Sequence, residues 1–360
     1  MIGAGIVGLA TAYALSERGV RARVYESGVP GNGQSGGESR IFRHTHDDPR
    51  LVRLTVTARA VWREWSERLG VELVSDDGVV ALGETARRRM GVLREVGGVP
   101  ARAIDEAELA DRLPPLAAYA GPATLDEAGG AIRTGGAITA LAGALGEGLV
   151  ADEVISVRPT SRGAAEVVAG GERREYARVV VCAGRGTTAL ARGVGLSLPV
   201  SPAAHTRLAF AVRGDPPALL ACLQDGSGTF GETGVYGAPH PGNRHYSLGL
   251  TENAPVREDG AAIDPAALVP LGERAAAYVS RALPGLDPRP VGVRNCWVTQ
   301  LPWGPDGVAV WEAEGILFLA GHNLFKQAPG LGRALAAAAL GEELMPALRP
   351  DARLGRAPTP

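Results

Sequence analysis

Lysine is almost absent from this chain of 360 residues: of its 37 basic residues, only Lys326 is not arginine. Lysine is ordinarily among the commonest residues. A coding bias toward arginine explains the shortage, but such a bias should also remove a lysine that arginine could replace. Lys326 is therefore either a functional residue or a chance survivor on a helix surface, and composition leaves both interpretations open.

Cysteine is also scarce, and Cys182, Cys222 and Cys296 have neither a disulfide framework nor a CxxC metal-binding spacing. This use of cysteine is typical of a protein in the reducing cytoplasm. The net charge of −2 argues against nucleic acid or an anionic membrane as a partner. No apolar run is long enough to span a bilayer, no signal-peptide pattern occurs, and the six histidines form no recognised metal-ligand set. We therefore expect a cytoplasmic globular protein without a metal.

Glycine is abundant instead, and its first cluster has an informative spacing. Gly3, Gly5 and Gly8 form a GxGxxG pattern that opens a helical stretch, and Glu26 ends the short strand that is predicted next. In this arrangement the glycines permit a tight turn, and N–H groups at the helix N-terminus meet a pyrophosphate. The acidic residue then binds a ribose hydroxyl. The sequence thus predicts a dinucleotide-binding domain at the start of the chain.

The remaining pattern predicts an α/β protein of α+β type with two domains. Buried strand-like runs at 179–182 and 316–320 end in Gly184 and Gly321, and a helix follows from about Gly330. Strand-like stretches separated by Pro and Gly dominate the middle of the chain. We expect a discontinuous Rossmann-like dinucleotide-binding domain (1–75, 130–200 and 305–346), a sheet-rich substrate domain (76–129 and 201–304) and a disordered tail (347–360).

Three further motifs accompany the glycine turn: SRIFRH at 39–44, NCWVT at 295–299 with Pro305-Asp306 following, and AGHNLFKQAPGLG at 320–332. Together the four motifs resemble the FAD-dependent amine oxidases of the glycine/D-amino acid oxidase superfamily, over about residues 1–345. The likeness is greatest to the monomeric sarcosine oxidase-like branch. It implies FAD as the cofactor of the Rossmann-like domain. It also implies oxidation of the C–N bond of an amino or imino acid, with a secondary, N-methyl or cyclic amine, to an imine. Electrons would pass to oxygen and form hydrogen peroxide.

The resemblance also implies roles for individual residues. Arg40 would contact the flavin ring, Arg43 and Lys326 would bind the substrate carboxylate, and Cys296 marks the position where the branch attaches FAD as a thioether. Ser247 stands where the branch has a lysine that activates oxygen. The expected catalytic residues are thus Arg40, Ser247 and Lys326, and those that bind or line the substrate are Arg43, Lys326, Tyr236 and Trp303. The expected cofactor-binding residues are Gly3, Gly5, Gly8, Glu26, Ser39, Arg40, Gly184, Cys296, Gly321, Phe325, Lys326 and Gly330.

Simpler alternatives stand beside these assignments. Arg40 and Arg43 could lie on a solvated loop, and Cys296 could be an inert buried thiol. Tyr236 and Trp303 could be ordinary packing residues. The replacement at Ser247 leaves open a flavin dehydrogenase of the same fold that uses another electron acceptor. The dinucleotide motif by itself also fits an NAD-dependent Rossmann dehydrogenase. We expect a monomer that acts on a small amino-acid-like molecule.

Overall fold

The computed structural model describes residues 1–257 and 262–356. Its α-helices are α1 (Ile6–Glu17), α2 (Pro49–Leu69), α3 (Glu84–Val96), α4 (Glu106–Arg112), α5 (Thr134–Leu145), α6 (Thr187–Arg192), α7 (Pro265–Ala282) and α8 (Ala328–Ala339). Its strands are β1 (Val24–Glu26), β2 (Ser39–Phe42), β3 (Val79–Leu82), β4 (Ala101–Ile104), β5 (Ala123–Asp126), β6 (Gly130–Arg133), β7 (Leu149–Ala151), β8 (Val154–Pro159), β9 (Ala165–Ala169), β10 (Glu172–Tyr176), β11 (Val179–Val181), β12 (Ser201–Val212), β13 (Cys222–Asp225), β14 (Val235–Pro239), β15 (His245–Leu250), β16 (Leu286–Gln300), β17 (Val308–Ala313) and β18 (Ile316–Gly321). Among these helices, none has both the length and the apolar character that crossing a membrane requires.

The chain divides into two compact units, and each is assembled from separate stretches of sequence. The first unit comprises residues 1–36, 135–201 and 299–360, and the second comprises 37–134 and 202–298. The boundaries differ from the predicted ones, because residues 37–75 belong to the second unit. Within that unit β2 pairs with β6, and α2 packs against α3. Tertiary pairing, which local sequence does not reveal, thus decides where this segment belongs.

The first unit is built on a sheet of short, buried, mostly parallel strands. β1 pairs in parallel with β7, β11 pairs in parallel with β18, and β17 adds an antiparallel edge to β18. Ile2 forms parallel bridges to Tyr25 and Val181, so the residues before the glycine turn lie between β1 and β11. β8, β9 and β10 form a separate antiparallel sheet. Helices α1 and α8 pack together at Gly332, where an added Cβ would lie 2.7 Å from the carbonyl carbon of Ala10.

The second unit is built on an eight-stranded sheet with the order β16-β12-β15-β14-β13-β3-β5-β4. One face of this sheet is apolar: Leu208, Phe210 and Leu248 belong to one buried cluster with Leu271 and Tyr278 of α7. The helix begins with Asp264 as its N-cap, whose side chain accepts a hydrogen bond from the N–H of Ala266. Because side chains alternate along a strand, the opposite face presents a different set of residues, many of them polar.

The end of the chain is ordered as far as the structure describes it, so the predicted disordered tail is wrong for residues 347–356. Short 3-10 helices at Pro346–Leu348 and Pro350–Ala352 follow α8, and Leu348 and Leu354 are buried. The carbonyl of Leu354 accepts hydrogen bonds from the N–H of Val308 and from the indole of Trp303. These contacts stabilise a segment whose Pro and Arg content indicated disorder. Residues 357–360 lie outside the described residues.

Candidate active site

The glycine turn and α1 form a cradle in the first unit. Gly3 has a φ of +96°, and a Cβ added to Gly8 would lie 2.0 Å from the carbonyl oxygen of Gly3. The turn therefore closes only with glycine at both positions. α1 begins directly after Gly5 and has no acidic side chain in its first turn. Its positive N-terminal end is thus not neutralised by a carboxylate of its own, which suits an anion such as a pyrophosphate.

Glu26 lies beside this turn at the end of β1. Its Oε2 accepts a hydrogen bond from the N–H of Ala4 at 2.8 Å, and its Oε1 accepts one from the N–H of Gly28 at 3.0 Å. A carboxylate held in this place is positioned to bind a ribose hydroxyl. The glycine turn, the N-terminus of α1 and Glu26 together fit the ADP half of FAD. The hydroxyl of Ser35 accepts a hydrogen bond from the N–H of Ile6 at this N-terminus, at 2.9 Å.

Two more strands of the same sheet end in predicted glycines. Gly184 follows β11 with a φ of +56°, and an added Cβ would lie 2.6 Å from Oε1 of Gln34. Gly321 ends β18, and its carbonyl accepts a hydrogen bond from the hydroxyl of Thr299. The side-chain amide of Gln34 donates to the same hydroxyl at 3.3 Å. β11, β18 and the Ile2 segment before the glycine turn run in parallel and therefore end at one carboxyl edge, where ligands bind in sheets of this kind.

Lys326 lies in the loop between β18 and α8 and is only 5% exposed. Its Nζ donates to the carbonyl of Asn323 at 3.1 Å and lies 3.9 Å from Oδ1 of Asp306. The amide of Asn323 donates to the same oxygen of Asp306 at 2.8 Å. The single lysine is thus a buried cation in an ordered loop, and a chance survivor on a helix surface is excluded. Phe325 is buried in the same loop.

The SRIFRH segment forms β2 and the loop after it, in the second unit. Ser39 is buried, and its carbonyl accepts a hydrogen bond from Nη1 of Arg40 at 3.3 Å. The guanidinium of Arg43 donates to the carbonyl of Thr45. His44 anchors this loop, because its backbone N–H donates to Oδ2 of Asp126 at 2.7 Å and its Nδ1 lies 3.0 Å from Oδ1. Arg40 therefore lies in β2 and Arg43 in the hydrogen-bonded loop after it, and both side chains are half-buried.

Tyr236 and Ser247 lie on the face of the second unit's sheet that is opposite to α7. In the antiparallel pairing of β14 with β15, Tyr236 lies across from Gly249 and Ala238 lies across from Ser247. The hydroxyl of Ser247 lies 2.7 Å from Nε2 of His240. Burial, together with the neighbouring charges of His245 and Arg207, lowers the pKa of His240 to about 4. The imidazole beside Ser247 is therefore neutral at neutral pH.

Cys296 lies buried in β16 and is hydrogen-bonded to His205 of β12. Burial by itself raises the pKa of the Cys296 thiol. The hydrogen bond with His205 and the charges of Arg207 and Arg294 outweigh this effect, so the pKa falls below its ordinary value. Burial instead raises the pKa of Cys182 to about 12 and that of Cys222 well above its usual range. Cys296 is thus the cysteine whose surroundings favour a thiolate.

The predicted site residues are divided between the two units. The nucleotide-binding glycines, Glu26 and Lys326 belong to the first unit, as does Trp303. Arg40, Arg43, Tyr236, Ser247 and Cys296 belong to the second. Sequence reasoning missed His205, Arg207 and Arg294. The chain has so many arginines that no spacing distinguishes these two. The one available signal is alternation, since His205 and Arg207 lie on one side of a strand, as do Arg294 and Cys296.

The glycine turn, the helix N-terminus and the acid that follows define a dinucleotide-binding protein with an α/β sheet. Residues 1–338 match the family described as FAD dependent oxidoreductase, DAO. The chain therefore belongs to the DAO family of FAD-dependent oxidoreductases. This confirms the predicted family and fold class, and FAD as the cofactor, and it rules out the alternative of an NAD-dependent Rossmann dehydrogenase.

The similar proteins support this membership. The chain is 28% identical over 211 residues to human peroxisomal sarcosine oxidase, which covers 56% of this chain and 53% of that protein. It is 34% identical over 86 residues to N-methyl-L-tryptophan oxidase of Yersinia pestis, 23% of each chain. The chain thus matches about half, or less, of the length of these relatives.

Solved structures share the fold over almost the whole chain. NikD, described as an unusual amino acid oxidase essential for nikkomycin biosynthesis, superimposes with a TM-score of 0.82 at 23% identity, covering 98% of this chain and 95% of NikD. L-proline dehydrogenase from P. horikoshii has a TM-score of 0.81 at 19% identity, covering 96% and 94%. At these identities the likeness establishes the fold alone.

Proposed function

We propose that the protein oxidises the C–N bond of an amino or imino acid whose nitrogen is a secondary, N-methyl or cyclic amine. The product is an imine that water hydrolyses. Bound FAD supplies the acceptor for the two electrons. Support comes from the family and from relatives named for sarcosine and N-methyl-L-tryptophan. The observation that carries the proposal is Lys326, the only lysine of the chain, which is buried in the loop before α8.

Lys326 and Arg43 are proposed to bind the substrate carboxylate. A lysine acts there as a point charge, whereas an arginine offers a planar fork that matches two carboxylate oxygens. Nζ of Lys326 lies 3.9 Å from Oδ1 of Asp306, so the lysine is held at a fixed place in the loop before α8. Arg40 is proposed to contact the flavin ring, and Trp303 to line the substrate cavity. Holding the carboxylate fixes the orientation of the reacting C–N bond.

The purified protein is expected to be yellow and to lose its flavin absorbance when mixed anaerobically with an N-methyl or cyclic amino acid. The methyl ester of the same compound should reduce the flavin at least about 10-fold less efficiently, because it lacks the charge that Lys326 and Arg43 bind. In the Lys326→Gln variant, the ratio between the efficiencies of flavin reduction by the acid and by the ester should be smaller. No reduction by any such amino acid contradicts the proposed reaction, and equal rates for acid and ester contradict the carboxylate assignment.

Cys296 is proposed to attach FAD covalently, since its pKa is lowered whereas those of the other two cysteines are raised. Acid precipitation should then leave flavin on the polypeptide, and Cys296→Ser should release it into the supernatant. Cys222→Ala is the matched control, because it removes another buried thiol and should leave the attachment intact. Complete release of flavin from the unmodified protein would refute the covalent bond.

Oxygen is proposed as the electron acceptor, with hydrogen peroxide as the product. One observation favours the alternative, a dehydrogenase with another acceptor: Ser247 is neutral, and the imidazole of His240 beside it is neutral as well. A fixed cation stabilises developing superoxide better than a hydroxyl does. Stopped-flow mixing of the reduced protein with oxygen distinguishes the two, since only the oxidase reoxidises rapidly. The monomeric state and the cytoplasmic location stay predictions from the sequence.

A further inference from the structure

The end of the chain packs against the loop before β17, in the first unit. We call residues 346–356 the terminal segment. The carbonyl of its Leu354 accepts hydrogen bonds from the N–H of Val308 at 3.1 Å and from the indole of Trp303 at 3.0 Å. Leu348 and Leu354 are buried, so apolar packing fixes the segment as well. The proposed function gives no role to the terminal segment.

Gly355 brings the terminal segment against the backbone of Asp306. Gly355 has a φ of +95°, and a Cβ added to it would lie 2.5 Å from the carbonyl oxygen of Asp306 and 2.9 Å from Cα of Gly307. Both of these are backbone atoms, which cannot rotate away as the end of a side chain can. Only glycine therefore allows the segment to approach so closely. The main chain at Asp306 is held in place by this contact.

The side chain of Asp306 connects this loop to the loop before α8. Its Oδ1 accepts a hydrogen bond from the side-chain amide of Asn323 at 2.8 Å and lies 3.9 Å from Nζ of Lys326. Asn323 has a φ of +56°, a conformation that a residue other than glycine keeps only when its surroundings hold it there. Its carbonyl accepts a hydrogen bond from Nζ of Lys326 at 3.1 Å. Asp306 thus holds both the ammonium group and the residue that binds it.

The backbones of the same two loops are also in contact. The N–H of His322 donates to the carbonyl of Gly307 at 3.2 Å. A Cβ added to Gly321 would lie 2.6 Å from the same carbonyl oxygen. Because closely packed backbone leaves no space to absorb a displacement, a shift of the Asp306 loop is passed on to the loop that carries Lys326.

We propose that Asp306, held by the terminal segment at Gly355, is a positioning residue that fixes Nζ of Lys326 for the substrate carboxylate. This inference rests on the proposed function, in which Lys326 binds that carboxylate. A lysine carries its charge on a flexible stem, so the charge has a fixed place only where neighbouring groups supply one. Such support matters because a displacement of about 1 Å can lower a rate about 100-fold.

Lys326 is the only lysine of the chain, so protein made with isotope-labelled lysine gives a single NMR signal from a lysine side chain. In the holoenzyme this signal should lie away from that of free lysine, because Nζ is held between Asn323 and Asp306. Asp306→Ala and Gly355→Ala should each move it toward the position of free lysine. Asp306→Asn keeps an oxygen for the amide of Asn323 and should move it less. An unmoved signal in Asp306→Ala overturns the proposal.

Each of the two variants has a matched control in the same unit. Asp351→Ala makes the same change as Asp306→Ala, at an exposed position of the terminal segment. Gly341→Ala adds a Cβ at a φ of +91°, but no described heavy atom would lie within 4 Å of it. Both controls should leave the Lys326 signal in place. If Gly341→Ala moves the signal as far as Gly355→Ala does, strain at a positive φ is the cause and the role of Gly355 is overturned.

A kinetic experiment compares anaerobic flavin reduction by N-methylglycine and by its methyl ester. Asp306→Ala should lower kcat/KM for the acid at least about 10-fold, mainly through a higher KM, and should change kcat/KM for the ester little. A merely structural role of Asp306 predicts a lower Tm and equal losses for the acid and the ester, and that result overturns the positioning role. Asp306→Ala keeps the test decisive if Gly355→Ala does not fold.

A binding experiment separates failure of this inference from failure of the proposed function. Methoxyacetate has an ether oxygen in place of the amine of N-methylglycine, so it has no C–N bond to oxidise. It should move the Lys326 signal of the holoenzyme, its methyl ester should not, and its Kd should rise at least about 10-fold in Asp306→Ala. If it does so but no amine reduces the flavin, the positioning role stands and the proposed reaction fails. If N-methylglycine reduces the flavin equally well with and without Asp306, the reaction stands and the positioning role fails.

Discussion

Gly8→Ala is expected to abolish retention of FAD and to lower the free energy of unfolding by about 3 kcal/mol. The added Cβ would lie 2.0 Å from the carbonyl oxygen of Gly3, which is backbone and cannot rotate away. Gly3 itself is confined, because a Cβ there would lie 2.5 Å from the carbonyl oxygen of Cys182 in the turn after β11. The overlap is therefore relieved only by opening the turn that we propose binds the ADP half of FAD.

The matched control is Gly143→Ala, in the same unit. Gly143 lies inside α5, and no heavy atom would lie within 4 Å of its added Cβ. Alanine there should be neutral or stabilise the helix by about 0.5–1 kcal/mol, with full flavin content. The ratio of flavin to polypeptide after gel filtration measures retention of FAD, and urea unfolding measures the change in the free energy of unfolding. A Gly8→Ala protein that keeps its flavin and stability would show that the turn does not bind the cofactor.

His44→Leu is expected to destabilise the second unit by about 3 kcal/mol, because it leaves the carboxylate of Asp126 buried without its imidazole partner. The side chains of His44 and Asp126 are 3% and 2% exposed, so water cannot replace the lost contact. The variant should also weaken substrate binding, since His44 holds the loop that carries Arg43.

Denaturant unfolding monitored by tryptophan fluorescence tests this expectation. Arg68→Leu, which breaks an exposed ion pair with Glu64 on α2, is the control and should change stability little. Both variants remove one partner of a polar pair. The difference between their losses in free energy of unfolding therefore reports the effect of burial. A loss below about 1 kcal/mol for His44→Leu would mean that Asp126 finds another donor in the native state.

Local features were predictable where the reason for them is local. Gly3 and Gly8 could be recognised because a positive φ and a close backbone approach exclude any side chain, whatever the rest of the fold does. Glu26 followed from its distance to that turn, and the glycine-ended strands followed from short buried runs of apolar residues. Lys326 could be singled out because composition made it unusual, although neither its burial nor its contact with Asp306 is visible in the sequence.

The sequence by itself therefore determined the class of this protein: a dinucleotide-binding turn with its acid, and the motifs that resemble the amine oxidases. Only the tertiary structure decided that residues 37–75 join the second unit, that the end of the chain is ordered through residue 356, and that Arg207 meets Tyr236 over Gly249. The physical reason is the strand order β16-β12-β15-β14, which brings distant segments side by side. No period along the chain encodes which strand becomes the neighbour of which, so Arg207 and Tyr236 come together only in the folded sheet.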